Sequence, residues 1–300
     1  MTTTSTVPGR PAAPPRSQGL RDRVRRRGLT RSVTDAGFYT TAAALTVLFL
    51  GPLVWSAWAS ISGPRATGGT GGIGTNNYVR LIEYGAGLER YVWNTTVVTA
   101  LTVVGTLFVS VLGGYALARF QFPGKNLLFI GALAILMVPH PTILVPLYTM
   151  LNWVGMQNSL VSVALVLVMF QLPFGLFMMR NAFEGIPREL EEAALLDGCS
   201  NLGALRRILL RAVTPAMVTV GMFAFLAAWN EFLTPLIFLT DGRNFTLPIA
   251  LVSLRSGELG TVDLGALQAG IVVTAIPCLL MFILLQRHYV RGFTAGSVRG

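Results

Sequence analysis

Six stretches of the chain are almost wholly apolar, and the polar residues gather between them, near residues 38–59, 95–118, 127–150, 159–179, 212–240 and 264–285. A helix needs roughly 20 residues to cross a bilayer. Lipid offers a backbone amide no partner outside its own segment, so such runs cross as helices. A large buried helical core is the other home for apolar runs, but a chain of 300 residues has no use for six of them. The pattern predicts an all-α integral membrane protein with six transmembrane helices. The third run contains Pro139-His140-Pro141 and Pro146, and the fourth contains Gln171-Leu172-Pro173. Proline at membrane depth frees a backbone carbonyl, so each break is either the wall of a pathway or a packing kink.

Charge sets the orientation. Eighteen of the 23 Lys and Arg fall before the first run, after the second and fourth, or after the last. Only Arg65, Arg80, Arg90, Arg243 and Arg255 fall on the other side. Cytoplasmic loops carry the Lys/Arg excess, which predicts both termini in the cytoplasm. The net charge of +10 therefore calls for no nucleic acid. Basic segments beside a membrane meet anionic lipid instead. Composition agrees: 53% of residues are hydrophobic and 12% charged, against about 25% charged in soluble domains, and mean hydropathy is +0.62.

The chain divides into a basic arm (1–35), a six-span domain (36–286) and a short tail (287–300). The first half of the arm, rich in Thr, Pro and Gly, is expected to be disordered. The apolar run that follows is too long, and lacks the small-residue pattern, for a cleaved signal peptide. Trp55 and Trp58 close the first span as an interfacial belt. A Gly-rich external loop follows, with a short helix expected near 78–83. Its Gly69-Thr70-Gly71-Gly72-Ile73-Gly74 fits a dinucleotide fingerprint only formally, since no strand precedes it and no helix opens on it. Cys199 and Cys278 are far apart and lack metal-ligand neighbours, so they read as ordinary small residues.

The cytoplasmic loop at 180–212 holds more than solubility requires. Glu191-Glu192-Ala193-Ala194-Leu195-Leu196-Asp197-Gly198 reads as a short amphipathic helix and a Gly turn, followed by a second helix ending near Thr214-Pro215. Alanine permits close approach, the two glutamates offer charge to a partner, and Gly198 permits a sharp turn. In the spans, Gln171, Asn230 and Glu231 are polar groups in apolar surroundings. Glu231 is either hydrated near the outer interface, paired within the bundle or part of a gate, or in contact with substrate.

The loop resembles the EAA loop of ABC importer permeases: Glu-Ala-Ala, three residues, Gly, nine residues, Ile, one residue, Leu-Pro. Glu192, Ala193, Ala194, Gly198, Ile208 and Leu210 fall in register, and Arg211 stands at the usual Pro. Asn76-Asn77-Tyr78, Tyr115-Ala116-Leu117-Ala118-Arg119, Phe122-Pro123-Gly124, Pro146-Leu147-Tyr148, Leu172-Pro173-Phe174, Trp229-Asn230-Glu231-Phe232, Thr246-Leu247-Pro248 and Phe293-Thr294-Ala295-Gly296 resemble the carbohydrate branch, in particular its six-span, second maltose-type permease subunit. The resemblance implies a type I importer fold. It also implies four kinds of partner: a second permease subunit, two ATP-binding subunits, an extracytoplasmic solute-binding protein, and a sugar or oligosaccharide. The ATPase-coupling residues would be Glu191, Glu192, Ala193, Ala194, Asp197 and Gly198, and Gln171, Asn230 and Glu231 are candidates for the pathway. In this family a sugar is one class of solute, and a non-sugar solute is the alternative.

The chain has no Gly-x-x-x-x-Gly-Lys-Ser/Thr phosphate loop, so ATP hydrolysis is expected in a partner, with no cofactor held here and no enzyme activity. A secondary transporter would carry ionisable relays at the midplane, and Glu231 alone is available. An intramembrane protease would need a nucleophile and base, but the chain has no Gly-x-Ser-x-Gly and only His140 and His288 as histidines.

Overall fold

A computed structural model describes residues 18–62, 72–256 and 262–296. Among them the backbone is helical apart from turns and one isolated bridge between Ser62 and Ile73. The part of the arm expected to be disordered, and the first half of the Gly69–Gly74 run, lie outside the described residues. The chain divides into two compact units after Trp55, within a long first helix, α1 (Gln18–Ile61).

Four helices can cross a membrane unaided: the 37–61 part of α1 (Gly37–Ile61), α3 (Leu88–Arg119), α6 (Leu160–Glu184), and the Leu264–Gln286 part of α13 (Leu264–Gly296). The other two expected spans are each bent. The third, 127–150, is two helices, α4 (Lys125–Ala134) with a 3-10 turn to Met137, then α5 (His140–Trp153), inclined at 108°. The cause is local. Val138 precedes Pro139 and is extended at ψ 126°, because the proline ring disfavours the helical region for the residue before it. Pro141 then sits in the first turn of α5, where its missing N–H costs nothing.

The fifth expected span, 212–240, is also not one helix. α10 (Thr214–Trp229) has 16 residues and meets the preceding segment Asn201–Ala212 at 79°. It ends at Asn230, and α11 (Leu233–Phe238) begins anew. The carboxylate of Glu231 accepts from the backbone N–H of Thr234 at 2.9 Å and from its hydroxyl at 3.1 Å, which caps the new helix. Beyond α11 the chain turns back into a buried apolar helix that the sequence reading did not place, α12 (Leu247–Ser256). The return is held by side-chain amides and a hydroxyl. Asn94 Nδ2 donates to the carbonyls of Arg243 and Phe245, Asn158 Oδ1 accepts from Thr240 and Asp241, and Thr95 Oγ1 accepts from the N–H of Leu247.

The short helix expected in the outer loop is α2 (Asn76–Glu83). Asn77 is buried, and its amide donates to the carbonyls of Ala59, Ser60 and Ser62, tying down the last turn of α1. Arg80 bonds Asn77 Oδ1 and pairs with Asp263 at 3.0 Å, so the same cluster reaches the start of α13.

The helices α3 and α6 pack along one another through small side chains. Thr95, Thr99, Thr102, Thr106 and Ser110 form a buried stripe on α3, and Gly114 continues it. Where lipid is as apolar as leucine, close backbone approach replaces the hydrophobic drive. A Cβ at Gly114 would stand 2.5 Å from Cβ of Met179 and 2.9 Å from the backbone N of Arg180. Gly114→Leu must therefore push α6 away, at a cost of about 1–3 kcal/mol or more. The expected result is a lower melting temperature for the purified protein. Gly131→Leu, where a Cβ meets nothing within 4 Å, serves as the control and should melt normally.

Candidate functional site

The loop after α6 folds as two helical pieces around one glycine. Pro187 fixes the entry to α7 (Arg188–Leu196), and Glu189 and Glu191 in its first turn suit the positive end of the helix dipole. At the far end Gly198 has φ +85°, the N–H of Cys199 bonds the carbonyl of Ala194, and that of Gly198 bonds Leu195, both at 3.0 Å. This is a Schellman ending, whose left-handed residue is usually glycine. The side chain of Ser200 then caps the second piece, accepting from Gly203 at 3.2 Å. That piece runs through α8 (Asn201–Ala204), a π-helical turn at Leu205–Leu209 and α9 (Leu210–Ala212). It continues through Arg211, where the motif pattern has Pro. The break comes at Val213, just before Thr214-Pro215.

The two glutamates of the motif face different ways. Glu191 is nearly buried and turned into the protein. Its Oε1 accepts from the Tyr115 hydroxyl at 2.5 Å, and its Oε2 pairs with Arg119 Nε at 3.0 Å. Arg119 is buried too and also donates to the carbonyl of Ile186 at 3.0 Å. One carboxylate thus ties α7 to the last turn of α3. Ala194 is buried on the same side. Beneath lies an apolar cluster of Val111, Tyr115, Met179, Phe183, Leu205 and Leu209. Glu192, Ala193, Asp197 and Gly198 are exposed, and Leu196 is 89% exposed. A leucine so placed beside a glutamate is an amphipathic face left open among the described residues. Tyr115 and Arg119 escaped the sequence reading as site residues. Their signal was an i, i+4 pair of polar tips on an otherwise apolar helix end.

The two bent spans meet across α6 at a cavity of 390 Å³. Gln171 and Glu231 both line it, with Pro139, His140 and Phe170. The His140 ring stands edge-on to Phe170, with centroids 4.0 Å apart. Broken helices around a cavity are expected in membranes, because loose backbone groups must face protein or water. Asn230 is not among the lining residues. It is exposed, and its amide bonds the carbonyl of Leu226 at 2.9 Å and Cys278 Sγ at 3.8 Å. Both cysteines are free.

Residues 107–294 match the family described as binding-protein-dependent transport system inner membrane component. The diacetylchitobiose uptake system permease protein DasC of Streptomyces coelicolor is 36% identical over 212 residues, covering 70% of this chain and 75% of its own. The trehalose/maltose transport system permease protein MalG of Thermococcus litoralis is 32% identical over 225 residues, covering 75% and 81%. In shape the chain is similar to a crystal structure of a bacterial ABC transporter involved in the import of alginate, with a TM-score of 0.71 at 21% identity, over 92% of this chain and 99% of that one.

Proposed function

The chain belongs to the family of binding-protein-dependent transport system inner membrane components, and on that premise we propose that it forms half the translocation path of an ATP-driven oligosaccharide importer, coupled to a separate ATPase through α7 and the turn at Gly198. It is a multi-pass ABC permease subunit of the inner membrane and not an enzyme. The observation that carries the coupling role is the two-sided build of α7. Glu191 and Ala194 hold one side against the spans, while Glu192, Ala193 and Leu196 stand open on the other. A helix held that way passes a push on its open face directly into α3. The partners would be a second permease subunit, two ATP-binding subunits and an extracytoplasmic binding protein.

The sugar reading rests on the substrates named for its relatives, diacetylchitobiose, and trehalose or maltose. The cavity chemistry is compatible with it. Gln171 and Glu231 offer hydroxyl partners and Phe170 an aromatic face, and a polyol is bound by such pairs. Reconstituted alone in liposomes, the chain is expected to take up no sugar. Uptake driven by ATP should appear only when the second permease, ATPase and binding-protein components are supplied. ATP-driven or ion-driven uptake by the single chain would overturn the assignment.

A further inference from the structure

We propose that the groove between α3 and α10 holds one anionic glycerophospholipid, with one of its two acyl chains in the groove and its phosphate between Arg206 and Arg207. The groove has a volume of 520 Å³ and is lined by Leu107, Leu112, Leu202, Leu210 and Met217 among others, with Arg206 its one charged residue. It adjoins a second hollow of 440 Å³, lined by Ser200, Leu202, Gly203, Arg206 and Arg207. Leu202 and Arg206 line both, so an apolar compartment opens directly into a basic one. Both arginines are exposed, and among the described residues neither side chain has a hydrogen bond or ion pair. Two adjacent guanidinium groups without a carboxylate are a site for an external anion, and phosphate suits their planar forks.

Depth identifies the source of that phosphate. At 1.5 Å per helical residue, Leu112 lies about 10 Å and Leu107 about 18 Å along α3 from Arg119, the polar end of the span. The hydrocarbon core is about 30 Å thick, so the groove covers most of one leaflet's acyl region. Its mouth lies where headgroups begin. A free phosphate would leave the 520 Å³ apolar hollow unfilled. An anionic lipid fills both compartments at once, and basic pockets between membrane helices take such headgroups.

The test uses the whole transporter, extracted from membranes containing phosphatidylglycerol and phosphatidylcholine of matched chains and weighed by native mass spectrometry. One phosphatidylglycerol per copy of this chain should survive detergent exchange. Retention should fall about tenfold in R206Q/R207Q, which removes the charge-assisted contacts, and also in M217W, which fills the groove. The ATPase subunits should co-purify with both variants as with wild type. Equal retention of phosphatidylcholine overturns the proposal, as does retention indifferent to both variants. Displacement of the lipid by millimolar inorganic phosphate would show an anion site rather than a lipid site and also overturns it.

Discussion

Arg119→Met should abolish uptake while the complex stays assembled and continues to hydrolyse ATP. The substitution leaves the nearly buried carboxylate of Glu191 without its cation, with only the Tyr115 hydroxyl to satisfy it. Breaking one partner of a buried pair costs about 3–5 kcal/mol, because the remaining charge is uncompensated. The cost is local. It falls on the seating of α7 against α3, whereas the apolar burial that holds the spans is untouched. The docking face of Glu192, Ala193 and Leu196 is also unchanged, so the ATPase should still bind. What is lost is transmission. Replacing both members of a buried pair by apolar groups is often neutral, so Arg119→Met with Glu191→Leu should recover part of the uptake lost in the single variant. The measurement is uptake and ATP hydrolysis in proteoliposomes for wild type, both single variants and the double. Normal transport by Arg119→Met would dismiss the tie, and a double variant no better than the single would show that Glu191 is not its partner in function.

The second large effect is expected at the turn and at the open face. Gly198 has φ +85° with nothing within 4 Å of the place a Cβ would occupy. A bulky residue there is refused by the backbone and not by its neighbours. Gly198→Val should cost about 1–3 kcal/mol locally, enough to displace α8 relative to α7 and too little to unfold the spans. Glu192→Lys acts differently. It leaves the helix intact and puts a cation on a face proposed to meet a partner's cation, where like charges cost several kcal/mol. Co-purification separates the two. Glu192→Lys should lose the ATPase subunit, while Gly198→Val should keep some of it and lose coupled uptake. If both variants retain the ATPase and transport at the normal rate, α7 is not the coupling helix.

Much of this was legible along the chain. Apolar runs of crossing length are visible one residue at a time, since a span's hydrophobicity does not depend on its neighbours. α3, α6 and the membrane parts of α1 and α13 are found where the runs lie. The turn at Gly198 was equally local, because a left-handed ending selects glycine whatever surrounds it. The stop before Thr214-Pro215 was also readable, and Arg211 in place of Pro lets the helix run to Ala212.

Other features depended on facts that no single segment contains. The third and fifth runs are apolar enough to be spans, yet the third is two helices inclined at 108°, and the fifth stops at Trp229 and restarts as α11. Proline and glutamate permit the breaks, but only the packing brings Pro139 and Glu231 to the wall of one cavity. Gln171, Asn230 and Glu231 look alike as polar residues in apolar runs. Two of them reach that cavity and Asn230 bonds its own helix, a difference of helical phase and packing. Glu191 and Glu192 are neighbours of the same type. The sequence by itself determined the four uninterrupted spans, the arginine bias and the motif's register, all of which are short-range properties of hydrophobicity, charge and φ. Only the tertiary structure turned Glu191 inward to Tyr115 and Arg119 and left Glu192 facing out. The reason is that consecutive residues on a helix point about 100° apart, and which of the two meets an arginine depends on where a helix distant in sequence ends.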